Sequence, residues 1–149
     1  MPRKAFITLA LLPLLVGMSS CPISAQLYIN ELMSSNGNTI QDEDGDCPDW
    51  VEIYNAGDEP VNLLGYGLSD RPNNPFKWRF PEWTIAPEEY LIVFASDKNR
   101  TTGPYLHTSW AIRAEGEEVV IAAPDGTILD RSDALPIPRD VSYGRKPDG

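Results

Sequence analysis

Short runs of alternating apolar and polar residues, each ended by turn formers, fill the chain from Leu27 onward. Gln26–Leu32 sets Leu27 and Ile29, and less regularly Met33, against Tyr28 and Asn30. Trp50–Tyr54 puts Val51 and Ile53 on one face and Trp50, Glu52 and Tyr54 on the other. Lys77–Phe80 alternates Trp78 and Phe80 with Lys77 and Arg79, then stops at Pro81. A period of two marks half-buried strands. Val61–Leu68 is apolar but broken by Gly65 and Gly67, which predicts a strand pair or a bulge. Tyr90–Ala95 is continuously apolar and predicts a central strand covered on both faces.

Further strands are expected at Leu106–Ile112, Glu118–Ala122, Thr127–Asp130 and Val141–Tyr143. Pro124-Asp125-Gly126 makes Glu118–Asp130 a hairpin, because proline presets the turn and glycine accepts positive φ. Fourteen prolines leave little room for a long helix. Ala86–Tyr90 and Ser96–Thr102 have room for one turn each. The pattern predicts an all-β, immunoglobulin-like β-sandwich.

The first 25 residues read differently. Arg3 and Lys4 precede an apolar run from Ala5 to Val16, and Ser24-Ala25 offers small residues before Gln26. This is the layout of a secretory signal peptide cut after Ala25, leaving a single domain over 26–149. The run is too short, and too broken by Pro13, to span a membrane, so the mature chain is expected to have no transmembrane segment. A second cut lies before Cys21, in a lipoprotein-like box that Met18 and Ser20 fit poorly. Either route predicts export, with the chain secreted or held at the cell surface.

Without the leader, ten Lys and Arg face twenty-two Asp and Glu, a formal charge of −12. Such a domain repels phosphate backbones and anionic membrane surfaces, so nucleic acid is not an expected partner. Cations, cationic polymers and basic protein surfaces suit it better, although charge also serves solubility alone. Cys47 is left without a partner once Cys21 is removed or lipidated, which argues against a disulfide framework.

The one chemically distinctive segment is the loop from Asp42 to Asp49. Asp42, Asp44 and Asp46 alternate around Gly45, with Asp49 just beyond, and alternating carboxylates in a loop can wrap Ca²⁺. Counted from Asp42, Cys47 takes the glycine position of an EF-hand and Ile53 the bidentate-acid position. A metal site on Asp42, Asp44, Asp46 and Asp49 would therefore need backbone carbonyls or distant groups such as Asp70. A solvated acidic loop explains the same residues.

Asn30, Glu31, Glu52 and Asn55 can form a polar network or bind a ligand, and pairing with backbone at strand edges is the commoner use. The four tryptophans, with Tyr54, Tyr66 and Tyr105, can supply a carbohydrate-stacking platform. Trp83 and Trp110 suit that role better than Trp50 and Trp78, which suit a core. His107 is the only histidine; no nucleophile elbow, zinc spacing or phosphate-cradling loop accompanies it.

Several ordered motifs resemble one family. They are Ile29-Asn30-Glu31-Leu32-Met33, Asp49-Trp50-Val51-Glu52-Ile53-Tyr54-Asn55, Val61-Asn62-Leu63 with Gly65-Tyr66 and Leu68-Ser69-Asp70, and Lys77-Trp78-Arg79-Phe80-Pro81. Together they are similar to the lamin tail domain over roughly residues 26 to 145. The Asp-Glu-Asp-Gly-Asp run, Leu106-His107-Thr108 and Ser142-Tyr143-Gly144-Arg145 resemble its bacterial, exported form. The resemblance implies an immunoglobulin-like sandwich used as an interaction module, often beside spore-coat (CotH-like) kinase regions, nucleases or surface anchors. None of those companions is visible here. The nuclear role of animal lamins does not carry over, since the chain has an export signal and no coiled-coil heptads.

The expected function is that of a non-enzymatic, exported binding or structural module acting on an extracellular or envelope protein. Two alternatives stay open: the targeting module of a larger secreted kinase-like enzyme or hydrolase, and a module that binds polysaccharide.

Overall fold

The computed structural model describes residues 26–149. The export leader and the Cys21 alternative fall on residues 1–25, outside the described residues. Eleven strands and no helix make up the described chain. They are β1 (Leu27–Met33), β2 (Asp49–Asn55), β3 (Val61–Asn62), β4 (Gly67–Ser69), β5 (Trp78–Arg79), β6 (Thr84–Ile85), β7 (Tyr90–Ala95), β8 (Leu106–His107), β9 (Val120–Ala122), β10 (Ile128–Arg131) and β11 (Tyr143–Gly144). One sheet runs β11-β1-β2-β7-β8, a second runs β10-β9-β4-β5, and β3 pairs with β6. All pairs are antiparallel except β7 with β8.

Alternation dictates which side chains lie between the sheets. Leu27, Ile29, Leu32, Val51, Ile53, Leu91 and Val93 project inward from the five-stranded sheet, against Leu68, Trp78, Val119 and Ile121. Burying one such aliphatic side chain stabilises the fold by about 1.5–3 kcal/mol. No disulfide contributes among the described residues, where Cys47 is free. Gly67 allows a tight crossing, since a Cβ there would collide with the Pro75 carbonyl.

The structure refines several expectations. The Val61–Leu68 run becomes two short strands in different sheets, with Gly65 between them at φ +83°. Tyr90–Ala95 is covered on both faces only in its second half, because Tyr90 points to solvent while Phe94 lies under the segment that follows β7. Leu106–Ile112 shrinks to two strand residues plus an isolated bridge between Ser96 and Ala111. Neither suggested helical turn forms a helix: Glu88, Asp97 and Asn99 adopt positive φ, incompatible with right-handed helix. The hairpin at Pro124–Gly126 forms as expected, with Gly126 at φ +92° and Thr127 N–H donating to Asp125.

The outer face of the five-stranded sheet positions everything that follows. Register partners lie on the same face, so β1, β2 and β7 stack three rows across it. Tyr28–Tyr54–Tyr90 form the first row, Glu31–Glu52–Ile92 the second and Met33–Trp50–Phe94 the third. A register shift between Ile29 and Glu31 makes Asn30 the extra residue of β1 and brings its amide beside Glu52.

Candidate functional site

The acidic loop lies at the Met33–Trp50–Phe94 end of that face, and it is folded around its own carboxylate. Asp42 Oδ1 accepts the amides of Asp44 and Asp46, each at 3.0 Å, and Asp42 N–H donates to the Asp46 carbonyl at 2.9 Å. Gly45, at φ +81°, lets the chain turn back. Asp42 is consequently inside, with its side chain 0% exposed, while Asp46 faces water.

The buried carboxylate needs a counter-charge, and the segment after β7 supplies it. Lys98 Nζ lies 2.5 Å from Asp42, 2.7 Å from Asp44 and 2.8 Å from Asp46. Arg100 bridges Glu43 at 2.8 Å and Asp44 at 2.6 Å. His107, fully buried and stacked on Phe94 at 5.3 Å, places Nε2 2.9 Å from Glu43 and Nδ1 2.9 Å from Ser96 Oγ.

Hydrogen bonds from its own amide, from His107 and from Arg100 bring the Glu43 pKa down to about 2. Arg100 and then Lys98 hold Asp44 at about 2. Burial opposes ionisation of Asp42, yet Lys98 and the Asp46 and Asp44 amides together keep it below the ordinary carboxylate value. Burial likewise opposes the Lys98 ammonium, and its three carboxylates more than offset that.

Three of the four expected metal residues therefore converge. Asp42, Asp44 and Asp46 each offer an oxygen within 4.8 Å of the others, and Asp49 is not among them. Burial raises the Asp49 carboxyl, which accepts the Asn36 amide at 3.4 Å instead. The Lys98 ammonium stands where the three carboxylates meet, at distances that match charge-assisted hydrogen bonds. Ca²⁺ takes six to eight oxygens, and one of the six that these carboxylates own, Asp42 Oδ1, already accepts two amides. A calcium ion here would have to displace the ammonium and recruit further oxygens.

Ser96, His107 and Glu43 are joined in a row with the outline of a catalytic triad. An ionised Glu43 can only accept, so His107 donates to it from Nε2, while Nδ1 faces the Ser96 hydroxyl. The ring itself is 0% exposed.

The opposite end of the face is built otherwise. Tyr54 and Tyr90 stack at 4.6 Å, and Tyr90 is 42% exposed. Asn30 Nδ2 donates to Glu52 at 2.9 Å and to Asp148 at 3.2 Å, and Tyr90 donates its hydroxyl to Asp148 at 2.8 Å. That bond, with some burial, pushes Tyr90 up to about 12. Burial raises Glu52 above the usual glutamate value; the Asn30 amide works against this, and the charges of Glu31 and Asp148 add to it.

The family profile of the Lamin Tail Domain matches residues 22–134, most of the chain. The chain belongs to the lamin tail domain family. Its sandwich is accordingly immunoglobulin-like, and the motifs at Ile29–Met33 and Asp49–Asn55 are β1 and β2, the two strands that carry the outer face. No curated protein matches the chain. In this lamin tail domain Asn55 is a framework residue: fully buried, it donates to the carbonyls of Glu59, Ile85 and Ala86 and accepts the Gly57 amide. Trp50, Trp78 and Trp110 are buried, so Trp110 cannot serve as a surface platform, and Trp83 is half-buried against the core. The exposed aromatic residues are tyrosines.

Residue order along the chain marked Glu43 only as a neighbour of the loop and did not reveal Lys98 and Arg100 as parts of the site. A signal existed: Lys98 and Arg100 are the only Lys or Arg between Arg79 and Arg113, and they follow a strong strand. No described helix is long and apolar enough to cross a membrane.

Proposed function

We propose that the chain is an exported, non-enzymatic binding module that presents the outer face of its five-stranded sheet to an extracellular or envelope protein. The observation that carries this reading is the inward wiring of the acidic loop. Asp42, Glu43 and Asp44 are committed to Lys98, Arg100 and His107, so the most chemically endowed part of the molecule supports a surface rather than a reaction. Membership of a family of immunoglobulin-like domains supports the same reading. Export rests on the composition of residues 1–25.

Two measurements test it. Cell fractionation with mass determination should find a chain beginning at Gln26 outside the cytoplasm; intact chain confined inside would contradict export. Assays with ester, phosphoester, peptide and glycoside substrates should show no turnover. Hydrolysis that disappears in His107→Ala while the protein stays folded would make Ser96–His107–Glu43 catalytic after all.

A further inference from the structure

Among the described residues, nine of the twenty-two acidic side chains form a salt bridge with a cation of the chain. Asp70 has Lys77, Glu117 has Arg113, Glu118 has Arg131, Asp130 has Arg145, and the acidic loop has Lys98 and Arg100. The Tyr28–Tyr54–Tyr90 end of the outer face gathers on one strand surface three that form none. Glu31, Glu52 and Asp148 gather beside three tyrosine rings, and none of the three forms a salt bridge with a described residue.

We propose that this patch is a docking surface for an arginine-bearing, extended segment of a partner protein, whose guanidinium lies on the stacked Tyr54–Tyr90 pair, since Arg145 and Gly149 of the chain itself lie against Tyr28, and pairs with Glu52. The inference rests on the binding-module reading above and supplies its surface and its partner chemistry.

The argument is one of complementarity. A ring face attracts a cation through its quadrupole, and adjacent carboxylates add direct charge. Guanidinium suits the site better than ammonium, because it is planar, weakly hydrated and able to stack while it donates in a fork. The chain already uses this chemistry twice: Arg79 lies 3.7 Å from the Phe76 ring centre and Arg145 lies 5.4 Å from that of Tyr28. Glu52 is also preorganised, since Asn30 fixes one of its oxygens and leaves the carboxylate with acceptor capacity to spare. A cation arriving there would relieve a half-buried negative charge that the fold otherwise leaves uncompensated.

The probe is an unstructured peptide of three arginines spaced by Gly-Ser, with a citrulline counterpart of the same shape and no charge. Each is titrated into the full chain at near-physiological salt and followed by amide-resolved NMR. The arginine peptide should shift residues 28–31, 52–54, 90–92 and 148–149, and should bind roughly tenfold more tightly than the citrulline peptide. Glu52→Gln should weaken binding about five- to tenfold, whereas Glu115→Gln, an equal loss of charge on an exposed loop, should change it less than about twofold. Glu31→Gln should move binding in the same direction, and serves if Glu52→Gln does not fold.

Equal losses for Glu52→Gln and Glu115→Gln would overturn the proposal in favour of diffuse attraction. So would equal binding of the citrulline peptide, shifts on another face, or the same rows responding to an oligosaccharide or a second copy instead. If the chain binds an envelope protein saturably and Glu52→Gln leaves that unchanged, the surface assignment fails and the binding-module reading stands. If neither peptide nor envelope protein binds, both fall.

Discussion

The two ends of one sheet face carry similar negative charge and treat it in opposite ways. At the Met33–Trp50–Phe94 end, Asp42, Glu43, Asp44 and Asp46 are held by Lys98, Arg100 and His107, and the Asp42, Glu43 and Asp44 pKa values are pushed down. At the Tyr28–Tyr54–Tyr90 end, Glu52 has an amide neighbour and two like charges, and its pKa is pushed up. A cluster of carboxylates is thus not one kind of object. Where the chain's own cations reach the carboxylates the cluster ties distant segments together, and where they do not, as at Glu52 with Arg145 paired to Asp130 instead, the charge is open to something else.

The sharpest way to break the contrast is to remove the ammonium. Lys98→Ala strands Asp42 inside beside two like charges; with Lys98 itself 21% exposed, the loss should be about 2–3 kcal/mol, below that for a fully buried pair. Chemical denaturation measures it, and a loss under about 0.5 kcal/mol would reduce the clamp to a surface ion pair.

His107→Ala comes next. It removes the ring stacked on Phe94 and the partner of Ser96 and Glu43, which should cost about 2 kcal/mol through the cavity and the broken bonds together. His107→Gln keeps some bonding and should lose less in the same titration.

Acid should release the clamp. Glu43 and Asp44 are held at about 2 against ordinary values of 4.5 and 3.8, so the folded state binds fewer protons than the unfolded one. Their contribution is fully present above pH 4.5 and is lost as pH falls through that interval towards 2. Asp49 and Glu52, raised in the fold, act with the opposite sign over the acidic range just above their ordinary values. The stability of Lys98→Ala should therefore fall less steeply with acid than that of the parent, in melts taken across this range.

Calcium is a smaller test. A ligand at a hundred times its Kd adds about 2.7 kcal/mol, which raises the Tm of a domain this size by several degrees. With Lys98 among the carboxylates, millimolar Ca²⁺ should leave Tm unchanged. A clear rise would mean that the ion displaces the ammonium.

The strands were legible where a period of two reported on two faces, as in Trp50–Tyr54, and where an apolar run was unbroken, as in Tyr90–Ala95. Two-residue strands such as β6 carry too little pattern to detect. Half of the candidate site was legible as well: Asp42, Asp44 and Asp46 do converge. What the pattern could not convey was a partner 56 residues away in the chain, since Lys98 meets Asp42 only after β2 and β7 have paired. The tyrosine row was hidden for the same reason. Tyr28, Tyr54 and Tyr90 become neighbours only through register, and the bulge at Asn30 that equips Glu52 has no signature in residue order.

The most direct measurement places Lys98→Ala and Glu52→Gln in the same denaturant titration at neutral pH. Removing the charge of Glu52 should leave stability unchanged or raise it by a few tenths of a kcal/mol, since the fold supplies that charge with no counter-ion, while Lys98→Ala loses several times as much. The opposite order, with Glu52→Gln the more damaging, would contradict the division of this face into a clamped end and an open one.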